Sequence, residues 1–216
     1  MAASPPGTFN FPREYFFPPF FTRQTNLTTH HAQLTKWSAL VLSYCRHYRI
    51  YKLTLSDAAG NSSNIGSSNG SIATTTSGQT TTTTTTPAPG ADELFHNRKI
   101  NRRLGVADVK EVMEFMRRDG RAEYVGGGSG ATGGDVVWIY WRTPEEWAAV
   151  VEGWVEKTAQ KGSVLTVYEL TEGEGTRGAE FHGLDPELLL KALNILVKRG
   201  KAQIFGQDDS QGVKFF

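Results

Sequence analysis

Residues Gly128 to Gly133 are the first candidate for chemistry, because they read GSGATG and match the glycine spacing of a dinucleotide-binding loop. In such a loop the last glycine opens a helix whose N-terminus faces a pyrophosphate group. Here the segment from Val136 to Trp141 follows, and its β-branched and aromatic residues are typical of a strand. We therefore interpret the glycine segment as a flexible loop tip and expect no cofactor.

The remaining reactive side chains do not form a catalytic set. Cys45 is the single cysteine, so it can form no disulfide within the chain, and its position on an apolar helix face favours a buried structural role. Four glutamates lie close in sequence, in a glycine-rich stretch where nothing would remove water and separate their pKa values. These are Glu169, Glu172, Glu174 and Glu180. The five histidines, His30, His31, His47, His96 and His182, show no metal-ligand spacing. We expect no catalytic residue and no metal site.

The charge balance excludes a strong general affinity for nucleic acid. Lys and Arg total 23 against 22 Asp and Glu, and the segment from Asp92 to Asp135 holds eight basic and eight acidic residues. Phosphate neutralisation supplies most non-specific DNA affinity, so a face with cancelling charges binds DNA weakly. A transcription factor nevertheless stays the alternative hypothesis, because the third helix of a winged helix often reads the major groove.

Apolar spacing predicts three helices and a hairpin in the first half of the chain. The first helix places Leu34, Trp37, Val41, Tyr44 or Cys45, and Tyr48 on one face. A second helix is expected from an Asp92 cap to Leu104, ended by Gly105, and a third from Val106 to Gly120, with Val106, Val109, Val112 or Met113, and Met116 inward. Two β-rich segments around the glycine loop then predict an antiparallel hairpin. Three helices closed by a hairpin form a winged helix.

The second half repeats this plan. Helix-start signals occur at Thr143, Thr166 and Asp185, two of them with Glu three residues after the capping Thr. A hairpin is expected from residues 202–205 to 213–216. Residues 118–124, RDGRAEY, and 198–204, KRGKAQI, also share a pattern in which glycine ends a helix and a strand follows. The sequence therefore predicts an α+β, mainly helical chain of two tandem winged-helix domains.

We expect an N-terminal arm over residues 1–26, a first winged-helix domain over 27–142 and a second over 143–216. Residues 56–91 are rich in Ser, Thr, Gly and Asn and include seven consecutive threonines, so they are interpreted as a disordered insertion within the first domain. A phosphorylated regulatory loop is the alternative interpretation of this segment.

The arm is the segment whose composition most strongly indicates binding to a protein partner. Its residues 9–21, FNFPREYFFPPFF, hold seven of the chain's aromatic residues. Pro18 and Pro19 favour polyproline II, and Phe20 and Phe21 are the expected anchors that enter a partner's pockets. The alternative is that the arm folds back over its own first domain.

Several motifs together resemble the small-subunit family of the ESCRT-II complex, the vacuolar protein-sorting-associated protein 25 family. They are FPPFF in the arm, Trp37 in the first helix, LFHN at 94–97, WRTPEEW at 141–147, VLTVYELTEGE at 164–174, EFHGLD at 180–185 and GVKFF at 212–216. The resemblance covers the arm and both domains but neither the Ser/Thr-rich insertion nor the glycine loop tip.

This resemblance implies a non-enzymatic assembly subunit, present in two copies beside two larger ESCRT-II subunits. It implies that Pro18, Pro19, Phe20 and Phe21 dock onto those subunits, and that the second winged helix, within residues 143–216, recruits and activates a myristoylated ESCRT-III subunit. The function implied is multivesicular-body sorting of ubiquitinated cargo. The implied location is the cytoplasm, with peripheral recruitment to the endosomal membrane and no direct insertion into it.

Overall fold

The computed structural model describes residues 7–58, 91–128, 134–206 and 211–216. The chain forms two compact units, Met1–Ile139 and Tyr140–Phe216, so the division falls just before the 142/143 boundary expected from the sequence. Each unit contains a three-stranded antiparallel sheet together with helices. The α+β, tandem winged-helix fold class is thereby confirmed.

The first unit begins with the arm, which forms two 3₁₀ turns, Arg13–Phe16 and Pro18–Phe21. The elements that follow are α1 (Leu27–Tyr48), β1 (Lys52–Thr54), α2 (Leu55–Ala58), α3 (Ala91–Phe95), β2 (His96–Asn97), β3 (Arg102–Arg103), α4 (Val106–Arg118), β4 (Ala122–Tyr124) and β5 (Val136–Ile139). The strand order is β1-β5-β4, so the predicted hairpin gains a third strand that the sequence pattern did not indicate.

Helix α1 forms one wall of the core in the first unit. Its start is fixed by Asn26, whose side-chain oxygen accepts the backbone N–H groups of Thr28 and Thr29 at 3.0 and 3.1 Å. Of the predicted apolar face, Trp37, Val41, Tyr44 and Cys45 are buried, whereas Leu34 and Tyr48 at its two ends are half-buried. Burial raises the pKa of the Cys45 thiol, so this group is a packed apolar side chain rather than a ready nucleophile.

The predicted second helix from Asp92 to Leu104 is wrong. Helix α3 ends at Phe95, and β2 and β3 form a short hairpin in place of its continuation. Asn97 causes the turn, because its Oδ1 accepts the N–H groups of Lys99 and Ile100 at 3.0 and 3.3 Å, which competes with the helical pattern. Asp92 does not cap the helix; it lies inside α3 and pairs with two arginines of this hairpin, Arg98 and Arg103.

Helix α4 begins at Val106 as predicted and ends at Arg118, two residues before the predicted end at Gly120. It buries Val109, Val112, Met113 and Met116. Val106 differs from the expectation, since its side chain is 45% exposed at the first position of the helix.

The second unit comprises α5 (Pro144–Lys157), β6 (Val164–Thr166), α6 (Val167–Glu172), α7 (Pro186–Lys198), β7 (Ala202–Phe205) and β8 (Gly212–Phe215). Both predicted capping boxes form: Thr143 with Glu146, and Thr166 with Glu169. The strand order β6-β8-β7 matches that of the first unit.

The internal repeat has the same geometry in both units. Gly120 and Gly200 each adopt φ of 70°, a left-handed conformation that glycine accepts without steric cost. The next residue then returns a hydrogen bond to the end of the helix: Arg121 N–H donates to the Met116 carbonyl at 2.8 Å, and Lys201 N–H donates to the Leu196 carbonyl at 2.9 Å. The two wings are therefore entered through the same Schellman-type turn.

The predicted insertion 56–91 lies mostly outside the described residues, as does the loop tip over 129–133. The prediction is wrong at both ends, because residues 56–58 belong to α2 and Ala91 begins α3. Ser56 is held by Asp135: the Ser56 N–H donates to one carboxylate oxygen at 3.0 Å and its hydroxyl donates to the other at 2.5 Å. Leu55 beside it is buried.

Candidate partner-docking surface

From residue 7 onward, the arm is a folded part of the first unit. Pro18 and Pro19 begin a 3₁₀ turn rather than the polyproline II segment that the sequence suggested. The turn closes through two backbone bonds, from Phe20 N–H to the Phe17 carbonyl at 2.9 Å and from Thr22 N–H to the Pro19 carbonyl at 3.2 Å. Proline suits the first positions of such a turn because its missing N–H has no partner there.

Trp37 of α1 holds the two phenylalanines that end the turn. The Phe20 ring stacks on the indole with centroids 4.4 Å apart and planes 7° from parallel, and the Phe21 ring meets it edge-on at 5.3 Å. The indole N–H also donates to the Phe20 carbonyl at 3.0 Å. Phe20 and Phe21 are 6% and 5% exposed, so both are part of the core of the first unit.

This burial corrects the expectation that Phe20 and Phe21 are free anchors. The physical reason is that Trp37 offers both a ring face and a hydrogen-bond donor within the same chain, so the two rings leave water before any partner arrives. Of the alternatives left open by the sequence, the arm's fold over its own domain is the one observed. Docking by Pro18, Pro19, Phe20 and Phe21 as a set stays a prediction.

Tyr15 fixes the earlier part of the arm. Its hydroxyl donates a short hydrogen bond to the Glu93 carbonyl, and its own carbonyl accepts the side-chain N–H of Asn97 at 2.7 Å. Phe11 stacks on the tyrosine ring with centroids 4.0 Å apart. Burial, followed by the nearby Glu93 carboxylate, raises the pKa of Tyr15, so the hydroxyl stays protonated and keeps donating.

Three consecutive apolar residues of the arm, Phe17, Pro18 and Pro19, form what we call the arm ridge. All three are exposed, and the Phe17 side chain retains 60% of its surface. A shallow cavity of about 190 Å³ lies beside the ridge and extends to Gln33 and Lys36 of α1. Its rim carries an ion pair in which the Lys36 ammonium donates to Glu14 at 2.9 Å, and this hydrogen bond lowers the pKa of Glu14. An apolar ridge with a charged rim is the composition of a protein-binding patch.

Helix α4 offers little positive charge to a DNA backbone. Glu114 accepts two hydrogen bonds from Arg117, at 2.8 and 2.7 Å, and a third from Arg118 at 3.3 Å. The hydrogen bonds from Arg117 are the main cause that lowers the pKa of Glu114 to about 2. Two of the basic residues of the helix are therefore paired within the helix, which agrees with the charge argument from the sequence.

Two of the four candidate acids of the second unit, Glu169 and Glu180, have structural roles. Glu169 completes the Thr166 capping box, and this backbone hydrogen bond lowers its pKa. Glu180 pairs with Arg142 at 2.8 Å. Over the described parts of the chain, no three His, Cys, Asp or Glu side chains are grouped as a metal site would require. Among the same residues, no helix is long and apolar enough to cross a bilayer.

The second unit exposes apolar side chains that the sequence reading did not identify. Tyr168 on α6 is 69% exposed and Val164 on β6 is 53% exposed, while Glu172 is exposed on the same helix. The signal was present in the motif VLTVYELTEGE, but periodicity in a six-residue helix cannot separate an inward from an outward tyrosine. Gln33 was missed for a similar reason: polar residues inside an apolar stripe carry no periodic signal.

The family model of the ESCRT-II complex subunit matches residues 14–185. Vacuolar protein-sorting-associated protein 25 of Xenopus laevis is 36% identical over 208 residues, which cover 96% of this chain and 99% of that protein. The human protein of the same name is 36% identical over 209 residues, covering 97% of this chain and 98% of that protein. The Dictyostelium discoideum protein is 33% identical over 216 residues, covering 96% of each chain.

Solved structures agree with the sequence relatives. A chain of the crystal structure of the endosomal complex ESCRT-II (VPS22/VPS25/VPS36) superposes with a TM-score of 0.69 at 25% identity, covering 95% of this chain and 98% of that one. The crystal structure of subunit VPS25 of the endosomal trafficking complex ESCRT-II gives a TM-score of 0.73 at 24% identity with the same coverage, which supports the fold. The matched relatives span the arm, both winged helices and nearly the whole chain. The chain therefore belongs to the ESCRT-II complex subunit family, as a member of its vacuolar protein-sorting-associated protein 25 branch.

Proposed function

We propose that this chain is a non-enzymatic assembly subunit that uses the arm ridge to dock onto the two larger ESCRT-II subunits. The proposal rests on the opposite burial of neighbouring side chains within one turn. Phe20 and Phe21 are buried against Trp37, whereas Phe17, Pro18 and Pro19 point an apolar edge at solvent. Because the buried rings already hold the turn rigid, the exposed apolar patch loses little conformational entropy on binding.

The larger subunits are the expected partners because VPS22 and VPS36 accompany VPS25 in the solved ESCRT-II complex that matches this chain. In this proposal two copies of the chain join one complex, each through its own ridge. The roles of the four motif residues then differ: Pro18 and Pro19 contact the partner, and Phe20 and Phe21 support them from the core.

Replacing Phe17 by alanine should weaken capture by the larger subunits about thirtyfold, since truncated hot-spot residues commonly cost about 2 kcal/mol of binding free energy. The affinity would be measured by titrating the full chain onto immobilised, co-expressed larger subunits. The double variant Pro18→Ala/Pro19→Ala should also bind more weakly.

Phe16→Ala is the matched control, because Phe16 is the adjacent phenylalanine, is 42% exposed and lies outside the ridge. It should change the affinity less than threefold, within the range of a near-neutral interface position. Equal losses from Phe16→Ala and Phe17→Ala, or no loss from either, would exclude the ridge as the docking element.

We propose further that the second unit recruits and activates a myristoylated ESCRT-III subunit, and that the chain thereby acts at the endosomal membrane in multivesicular-body sorting of ubiquitinated cargo. The support is the acidic charge balance of the second unit and an aromatic side chain exposed on its surface. Residues 142–216 hold nine basic and twelve acidic residues, and α6 places the exposed Tyr168 beside Glu172. An exposed aromatic ring with acidic neighbours suits a basic amphipathic segment.

Tyr168→Ala should weaken binding of the purified ESCRT-III subunit to the full chain about tenfold, and the wild-type affinity should fall as salt is raised from 50 to 300 mM because the attraction is partly electrostatic. Leu27→Ala, which removes an 83% exposed apolar side chain from the first unit, is the control and should bind normally. An affinity that changes neither with salt nor with Tyr168→Ala would contradict the proposal that this surface binds the ESCRT-III subunit.

A further inference from the structure

We propose that Gln33 is a positioning residue for docking: together with Trp37 it clamps the arm turn, so that the arm ridge already has its binding shape in the free chain. This inference rests on the proposed docking function of the ridge. Gln33 is one of the few buried polar side chains among the described residues, at 7% exposure. Burial of an amide costs free energy unless its hydrogen bonds are made, so its partners are informative.

The partners of Gln33 are the carbonyls of the arm. Its side-chain N–H group donates to the Phe20 carbonyl at 2.8 Å and to the Thr22 carbonyl at 2.9 Å. The indole N–H of Trp37 donates to the same Phe20 carbonyl at 3.0 Å. Two side chains one helical turn apart on α1 therefore hold the backbone just after Pro18 and Pro19. The side chains of the ridge itself are left uncovered.

The carbonyls of Phe20 and Thr22 fix the orientation of the Gln33 amide, because only its NH2 group can donate to them. Its Oε1 lies 3.4 Å from Nδ1 of His30, one turn earlier on α1, and the other ring nitrogen of His30 lies 3.0 Å from the Glu111 carboxylate. Arg23, which follows the arm turn, reaches the same carboxylate at 3.1 Å. With its N–H donors on the arm carbonyls, the amide places its oxygen next to His30.

This arrangement selects one conformation of the turn. If the arm moved away, the Gln33 amide and the indole N–H would lose their acceptors in a partly apolar setting, and unpaired buried groups are costly. The clamp therefore keeps most free molecules in the binding-competent conformation of the ridge. The apparent affinity rises in proportion to the fraction of molecules in that conformation.

Gln24 provides a matched control within the same turn. Its side-chain N–H group also donates to two arm carbonyls, Pro19 at 3.0 Å and Thr22 at 2.7 Å. Both of these bonds are solvent-exposed, so water can replace them when they are lost. Loss of the Gln24 donors should therefore have a small effect, although the bonds are of the same kind. Gln33 adds only one longer bond, to the Pro19 carbonyl at 3.4 Å.

The first measurement uses the isolated full chain. Gln33→Glu keeps the side-chain size but replaces the donor with an oxygen that faces carbonyls. Amide hydrogen exchange at Phe20 and Thr22, whose N–H groups close the turn, should become about tenfold faster in Gln33→Glu and change less than twofold in Gln24→Glu. Gln33→Leu, which removes both donor and acceptor, should behave as Gln33→Glu does, and a melting curve identifies any variant that fails to fold.

The second measurement is a double-mutant cycle on binding to the larger subunits. Gln33→Glu should weaken binding about tenfold in the wild-type chain and add almost nothing when Pro18→Ala/Pro19→Ala is already present, because a clamp acts only through the ridge. Additive losses would show a purely structural role and overturn the inference. If Pro18→Ala/Pro19→Ala binds weakly but Gln33→Glu binds normally, docking stands and the clamp is wrong. If the ridge variant binds normally, the docking function and the clamp are both wrong.

Discussion

Trp37→Ala should lower the free energy of unfolding of the first unit by about 3–5 kcal/mol, the range measured when large aromatic residues are removed from protein cores. The indole is 1% exposed and contacts three rings, with Phe95 stacked against it at 5.9 Å in addition to Phe20 and Phe21. Its removal leaves a cavity under the arm and takes away the donor to the Phe20 carbonyl. The arm should then detach before the rest of the unit unfolds.

Urea unfolding followed by circular dichroism gives the free energy, and limited proteolysis within residues 7–22 reports the release of the arm. Trp37→Phe is the control, because it keeps most of the apolar volume and removes the N–H donor. This variant should lose about 1–2 kcal/mol, partly from the lost hydrogen bond and partly from the smaller ring. A loss below 1 kcal/mol in Trp37→Ala would mean that the arm does not depend on the indole.

Gly173→Ala should destabilise the second unit by about 3 kcal/mol, at the upper end of the cost of overfilling a packed site. A Cβ at this position would lie 2.2 Å from the Glu169 backbone carbonyl oxygen, a distance that no unstrained structure contains. The same carbonyl accepts the Gly173 N–H at 3.0 Å and so ends helix α6. Relief of the clash requires this bond to break and the helix end to move.

Gly175 and Gly178 provide matched controls for Gly173→Ala. Both lie within five residues of Gly173, and a Cβ on either would meet nothing within 4 Å. Gly175→Ala and Gly178→Ala should therefore change the melting temperature by about 1 °C or less, whereas Gly173→Ala should lower it by about 10 °C or more for a unit of this size. Similar melting temperatures for the three variants would show that the α6 end adapts freely. If α6 binds the ESCRT-III subunit as proposed, Gly173→Ala should also weaken that binding, because α6 carries Tyr168.

The arm contains both buried and exposed apolar residues, and docking by the exposed ones stays a prediction. Burial against the same chain applies to Phe20 and Phe21, and exposure applies to Phe17, Pro18 and Pro19. An arm of this kind does not have to fold on contact with a partner. On the proposed docking function, we expect assembly to depend on the stability of the first unit, because variants that loosen Trp37 or Gln33 would weaken docking without altering the exposed ridge residues.

Local sequence determined the elements whose signals are themselves local. The capping boxes at Thr143 and Thr166, the helix-ending glycines at 120 and 200, and the wing hairpins all formed where the sequence placed them, because each depends on contacts within a few residues. The family resemblance likewise came from contiguous motifs such as WRTPEEW and VLTVYELTEGE.

Tertiary structure decided what depends on contacts between distant residues. The segment after Phe95 has apolar residues at helical spacing, Ile100 and Leu104. However, Asn97 is bound to the Tyr15 carbonyl, 82 residues away, and the chain forms a hairpin instead. Phe20 and Phe21 have the composition of partner anchors, yet Trp37 and Gln33 supply a ring face and donors that only the fold brings to them. The composition predicts that the aromatic rings are buried. The geometry of the folded chain determines the surface against which they pack.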